Sequence, residues 1–153
     1  MEYAEIIHGL FLGPKPAEED FDELKKVGIT AVLCLLEDQE GAQKIKDLCQ
    51  KYQLLYHQIP IPDAFHGGLP TPSQILEAVS KINEWLTAHH KVYVHCYEGR
   101  GRSPLLVTAY LCLKGNRLYA AINCVKRSWP RADPNAEQIE VLCKLLKNKN
   151  TTC

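Results

Sequence analysis

Cys96 is followed six residues later by Arg102, with Gly99 and Gly101 between them, His95 just before and Ser103 just after. A cysteine thiolate is a strong nucleophile, and the planar fork of a guanidinium can hold two oxygens of an oxyanion. These residue types suit attack on the phosphorus of an ester, with charge stabilised by the loop itself and no metal or other cofactor required. The stretch from Val92 to Pro104 reads as an apolar strand, a loop with two glycines and the start of an apolar helix. Glycine lets such a loop turn its backbone N–H groups inward around an anion, and the helix aims its positive end at the same point. Cys96 at the strand end would lie on the floor of this cup, where those donors stabilise a thiolate. Tyr97, Glu98, Gly99, Arg100 and Gly101 would line the substrate. Ser103 suits a helix cap, its hydroxyl also within reach of the sulfur, and Pro104 suits a first helical position. A lone cysteine beside a strand is more often core filling. None of the other six cysteines, however, has an arginine six positions on.

Expulsion of an alkoxide or phenoxide calls for a proton donor that later takes a proton from water. Asp63, in a long loop rich in proline and glycine between residues 59 and 70, is the first candidate, with His66 as the alternative acid. Loops of this kind supply mobile catalytic groups. The competing reading of Asp63 is a turn residue after Pro62. His95 is expected to orient the loop through hydrogen bonds and so tune Cys96.

The elements that must position these groups follow an α/β pattern. Apolar runs at 5–8, 10–13, 31–36, 54–61 and 91–95 read as strands. Helical periodicity covers 18–27, 40–52 and 73–89, with apolar residues on one face suited to lying on a sheet. After Cys96 the pattern is helical throughout: 104–114 is apolar nearly all round, as for a buried central helix, followed by 117–128 and 134–147. No repeat, linker or low-complexity stretch interrupts the chain, which reads as one domain over 1–153 with a fraying tail at 148–153.

Composition bounds the surroundings. In 153 residues, eighteen basic and eighteen acidic side chains cancel, which argues against a general attraction to nucleic acid or anionic membrane. No apolar run is long enough to span a bilayer, and the opening residues 1–5 lack a signal-peptide pattern. Seven cysteines without a C-x-x-C pair suit buried free thiols in a reducing cytosol better than disulfides or a zinc site. The expectation is a cytoplasmic monomer acting on a phosphorylated protein or small phosphate ester.

His95, Cys96, Gly99, Arg102 and Ser103 meet every fixed position of the signature H-C-x-x-G-x-x-R-[S/T]. The chain therefore resembles the cysteine-dependent protein tyrosine phosphatase superfamily, and its short length resembles the compact atypical dual-specificity members. Residues 7–14 and 24–33 look like the opening strands, helix and next strand of those proteins, and Ile61-Pro62-Asp63 like their acid-bearing loop. The resemblance implies a single-domain fold with a mostly parallel sheet of about five strands flanked by helices. It also implies a phosphocysteine intermediate and activity on phosphotyrosine and phosphoserine/threonine. Gln138 resembles a glutamine that some relatives place near the pocket during phosphoenzyme hydrolysis; a solvated helix face is the alternative. Pro104 departs from the usual glycine. Arg100 adds a cation found in some relatives that act on lipid phosphates, but Tyr97 stands where those relatives have a basic residue. The rival readings are a phosphatase of lipid, sugar, nucleotide or RNA phosphates, a catalytically idle phosphate-binding module, and a rhodanese-like sulfur transferase.

Overall fold

The computed structural model describes residues 1–149. Five short strands form one sheet: β1 (Ala4–Ile7), β2 (Leu10–Gly13), β3 (Ala31–Cys34), β4 (Leu55–Gln58) and β5 (Val92–His95), in the order β1-β2-β5-β3-β4. Only β1 runs antiparallel to its neighbour; the β2–β5, β5–β3 and β3–β4 pairs are parallel. Six helices flank the sheet: α1 (Phe21–Val27), α2 (Ala42–Lys51), α3 (Pro72–Thr87), α4 (Arg102–Leu113), α5 (Leu118–Ser128) and α6 (Ala136–Asn148). A parallel sheet buries both faces, so its strands read as unbroken apolar runs, and β2, β3 and β5 are buried at every residue.

Two cores result. Phe11, Phe21, Leu24, Val32, Ile45 and Tyr93 fill the side carrying α1 and α2. Leu12, Leu33, Val94, Ile75, Leu106 and Leu142 belong to the larger core under α3 to α6. As its composition suggests, α4 is buried from Arg102 to Cys112. None of the described helices is long and apolar enough to cross a membrane.

Element boundaries shift for local reasons. Strand β3 stops at Cys34 and β4 covers only Leu55–Gln58, although the apolar runs continue as buried loop. A 3₁₀ turn at Glu18–Asp20 precedes α1, and another at Asp38–Glu40 precedes α2, which begins only after Gly41 at φ +98°. Helix α4 starts at Arg102, two residues earlier than expected. Ser103 therefore lies inside the first turn and is not the cap, and Pro104 is the third helical residue. Its missing N–H still costs nothing there, because first-turn donors have no intrahelical partner. Asn148 closes α6; the rest of the expected frayed tail beyond Lys149 lies outside the described residues.

Candidate active site

Parallel sheets gather their functional loops beyond the carboxyl ends of the strands. Here β5 sits in the middle, and the loop after it, residues 96–101, lies beside the segments that follow β2, β3 and β4. Cys96 is 2% exposed, and its Sγ lies 3.2 Å from Ser103 Oγ. A cup of about 50 Å³ is lined by Asp63, Cys96, Glu98, Arg100, Gly101 and Arg102.

The loop's carbonyls are held from outside. His95 Nδ1 donates to Cys96 O at 3.0 Å, Lys15 N to Tyr97 O at 2.9 Å, and Trp129 Nε1 to Gly99 O at 2.8 Å. Asp133 N donates to Arg100 O at 2.7 Å and Leu105 N to Gly101 O at 3.0 Å. A trans peptide carries its N–H opposite its carbonyl, so anchored carbonyls outside leave N–H groups facing the cup. Gly99 adopts φ +74°, and a Cβ there would stand 3.0 Å from the Gly13 carbonyl carbon, so only glycine fits. Helix α4, like α1, α2 and α5, has no side-chain cap, and its start at the loop's end directs its first N–H groups to the region of the cup.

His95 is fully buried, and burial pushes its imidazole down to about 4, so the ring is neutral near pH 7. Because the Cys96 carbonyl only accepts, Nδ1 carries the proton and Nε2 is left without a partner. The ring stacks on Tyr93, with centroids 5.9 Å apart.

Arg102 points its guanidinium across the cup. Nη1 and Nη2 each donate at 2.8 Å to a different oxygen of Glu40, and Nη1 also donates to Ile61 O at 2.8 Å. Burial opposes the charge, but Glu40, with Cys96 and Asp63, outweighs it and raises the Arg102 pKa further. The guanidinium nevertheless lines the cup beside Cys96. Asp63 Oδ2 lies 3.7 Å from Arg102 Nη2, while Oδ1 accepts from Phe65 N at 3.3 Å and caps a 3₁₀ turn, Ala64–His66. The expected acid is thus also a turn residue. His66 belongs to a wider cleft of about 740 Å³, shared with Asp63, Tyr97, Arg100 and Gln138.

Gln138 is 1% exposed, which rules out the solvated-face reading. Its Oε1 accepts from Asn135 N at 2.8 Å, leaving Nε2 buried without a partner, about 3.1 Å from where a Cβ on Gly101 would stand. The sequence-predicted residues Cys96, Arg102, Ser103, Asp63, His95 and Gln138 therefore converge. Tyr97 and Arg100 are exposed at the rim, and Glu98 lines the cup.

Sequence reasoning missed Glu40, Lys15 and Trp129. The acidic run Glu37-Asp38-Gln39-Glu40 just past β3 was the available signal for the first. Lys15 Nζ donates to Glu40 O at 2.7 Å and stands 5.4 Å from the Tyr97 ring centroid, linking both loops. Among the described residues, no group of three or more His, Cys, Asp or Glu side chains could hold a metal ion.

The family model for the dual specificity phosphatase catalytic domain matches residues 10–148. The chain belongs to that family. It is 32% identical over 145 residues to the dual specificity protein phosphatase PHS1 of Arabidopsis thaliana, covering 93% of this chain and 15% of that protein. To the chloroplastic phosphoglucan phosphatase LSF1 of the same plant it is 32% identical over 133 residues, covering 82% of this chain and 22% of that protein. The chain thus spans a minor part of the length of these two relatives. The crystal structure of Tk-PTP in the active form superposes with a TM-score of 0.86 at 32% identity, covering 95% of this chain and 96% of that one. The family fold explains why the nucleophile candidate stands at the end of the central strand.

Proposed function

We propose that the chain hydrolyses phosphate monoesters through a cysteinyl-phosphate intermediate, with phosphotyrosine, phosphoserine and phosphothreonine of proteins as its substrates. One observation carries this reading: the thiol and guanidinium of the segment 96–102 and the carboxyl of Asp63, from a loop more than thirty residues earlier, line the same 50 Å³ cup. The Cys96 thiolate attacks phosphorus in line, forming the S–P bond as the P–O bond to the leaving group breaks. Arg102 and the loop N–H groups hold the equatorial oxygens. Asp63 gives its proton to the departing oxygen. Water then attacks phosphorus and passes a proton to the Asp63 carboxylate, and the S–P bond breaks to release phosphate and restore the thiolate. Ser103 Oγ, beside the sulfur, stabilises the departing thiolate in this second step. Asp63 is preferred to His66 because it reaches the cup and the histidine reaches only the wider cleft. Gln138 Nε2, an unpaired donor fixed by the cap of α6, positions the attacking water.

Turnover of an aryl phosphate by the purified protein, and its loss in Cys96→Ser with the fold intact, tests this mechanism. Substantial activity in that variant sinks it. Exposed rings favour a second reading, in which sugar or lipid phosphates are the substrates: Phe65 is 88% exposed and Tyr97 51% exposed, and both line the cleft above the cup. A panel of phosphopeptides and free phosphorylated compounds separates the two.

A further inference from the structure

Gly99 creates a difficulty for the cup. The glycine that permits the tight curl at φ +74° also lets the neighbouring Gly99–Arg100 peptide rotate at little steric cost. In one orientation this peptide points the Arg100 N–H into the cup; turned over, it points a carbonyl oxygen at the phosphate. Something must select between them. The carbonyl is held by the indole Nε1–H of Trp129, 2.8 Å away in a buried setting. The next peptide, carrying the Arg100 carbonyl, is held by the Asp133 backbone N–H at 2.7 Å. Both donors come from one strap, residues 129–135, which joins α5 to α6. The strap is itself fixed: Trp129 N donates to Val125 O at 2.8 Å and Ala132 N to Trp129 O at 2.9 Å. The indole is 4% exposed and carries the Arg131 guanidinium 5.3 Å from its ring, with Arg131 in turn paired to Glu2. A tryptophan needed only for bulk would not have to aim its one polar atom at a carbonyl of the anion loop.

We propose that Trp129 is a positioning residue: its indole N–H holds the Gly99 carbonyl outside the cup and thereby fixes the Arg100 amide as a donor to the bound oxyanion. The proposal rests on the phosphatase reading for its kinetic consequence, but anion binding tests it independently. Trp129→Phe keeps an aromatic ring in the pocket and deletes the N–H. Loss of one oriented donor to a charged group predicts about a tenfold weaker affinity for tungstate by calorimetry. A similar fall in kcat/KM for an aryl phosphate should accompany it, because the donor serves ground state and transition state alike. A tryptophan with a purely structural role would lower the melting temperature and leave the tungstate affinity of the folded protein unchanged. That result, with affinity and kcat/KM within about twofold of the parent protein, overturns the proposal. Should Trp129→Phe fail to fold, Trp85→Phe leaves Trp129 as the single tryptophan, which can be excited selectively over the tyrosines. Tungstate in the cup should then shift its fluorescence by polarising the indole–carbonyl bond, and an unchanged emission on saturation overturns the proposal. If the parent protein binds tungstate in this Trp129-dependent way but turns over no phosphate ester, the catalytic reading fails and the positioning role stands.

Discussion

Glu40 grips the outer end of the Arg102 guanidinium with both carboxylate oxygens. Burial alone would raise the Glu40 carboxyl, but hydrogen bonds from Arg102 and the Glu37 backbone, together with the charges of Arg102 and Lys15, outweigh this and hold it below the ordinary carboxylate range. Breaking a buried pair leaves a charge uncompensated, at up to about 3–5 kcal/mol. Glutamine keeps one acceptor and softens that loss. Glu40→Gln should therefore destabilise the protein by about 1–3 kcal/mol and reduce kcat/KM at least tenfold. A carboxyl depressed in the folded state contributes stability above its unfolded pKa and loses it as pH falls through the folded value. The gap in stability between parent and variant should accordingly close on acidification below about pH 4.5, measured by denaturant melts. His95 has the same sign in a different window. Its folded pKa of about 4 lies below the usual 6.5, so the unfolded chain binds the extra proton as pH drops between those values. Stability should fall by about 1.4 kcal/mol per pH unit over that range from this group alone, and His95→Asn should flatten the slope. Asp63→Asn should slow turnover about 10²–10⁴-fold, more for alkyl than for nitrophenyl esters, because a good leaving group needs no proton. The histidine, cysteine, arginine and serine were legible because seven to nine consecutive residues fix their relation. Glu40 lies 62 residues from the arginine it holds, and no local pattern reports such a pairing.

Capping boxes close α3 and α6, and each serves the site as well as its helix. In α3, Thr71 Oγ1 accepts from Gln74 N, while the Gln74 amide donates at 2.8 Å to Pro60 O at the base of the acid loop. Thr71→Ala should cost about 1 kcal/mol in a thermal melt, within the usual range for a lost cap. Gln74→Ala frees the loop as well, so it should slow esters with poor leaving groups more than good ones; equal slowing of both would disconnect this bond from the acid. Among the described residues, periodicity located all six helices and all five strands but not their ends. Leu35 and Leu36 extend the apolar run of β3 without joining it, because apolar residues in buried loops look like strand to any pattern. The early start of α4 was hidden for a chemical reason: its first turn is formed by Arg102 and Ser103, polar residues that belong to the anion cup.

Across the whole molecule the sheet separates two cores, and α4 is the rod on which the larger one is built. Leu106→Ala, at a site with no exposure, should cost about 2–5 kcal/mol through lost burial and an unfilled cavity. The cup, seated at the start of the same helix, should lose oxyanion affinity with it. The ladder also has a temporal side. Strand β5 is the last in sequence and the middle one in space, and β2 and β3 pair with it but not with each other. A chain emerging from the ribosome up to His90 can hold only two separate ribbons, β1 with β2 and β3 with β4. The keystone that joins them carries the sulfur at its tip, so the reactive centre cannot precede the finished fold.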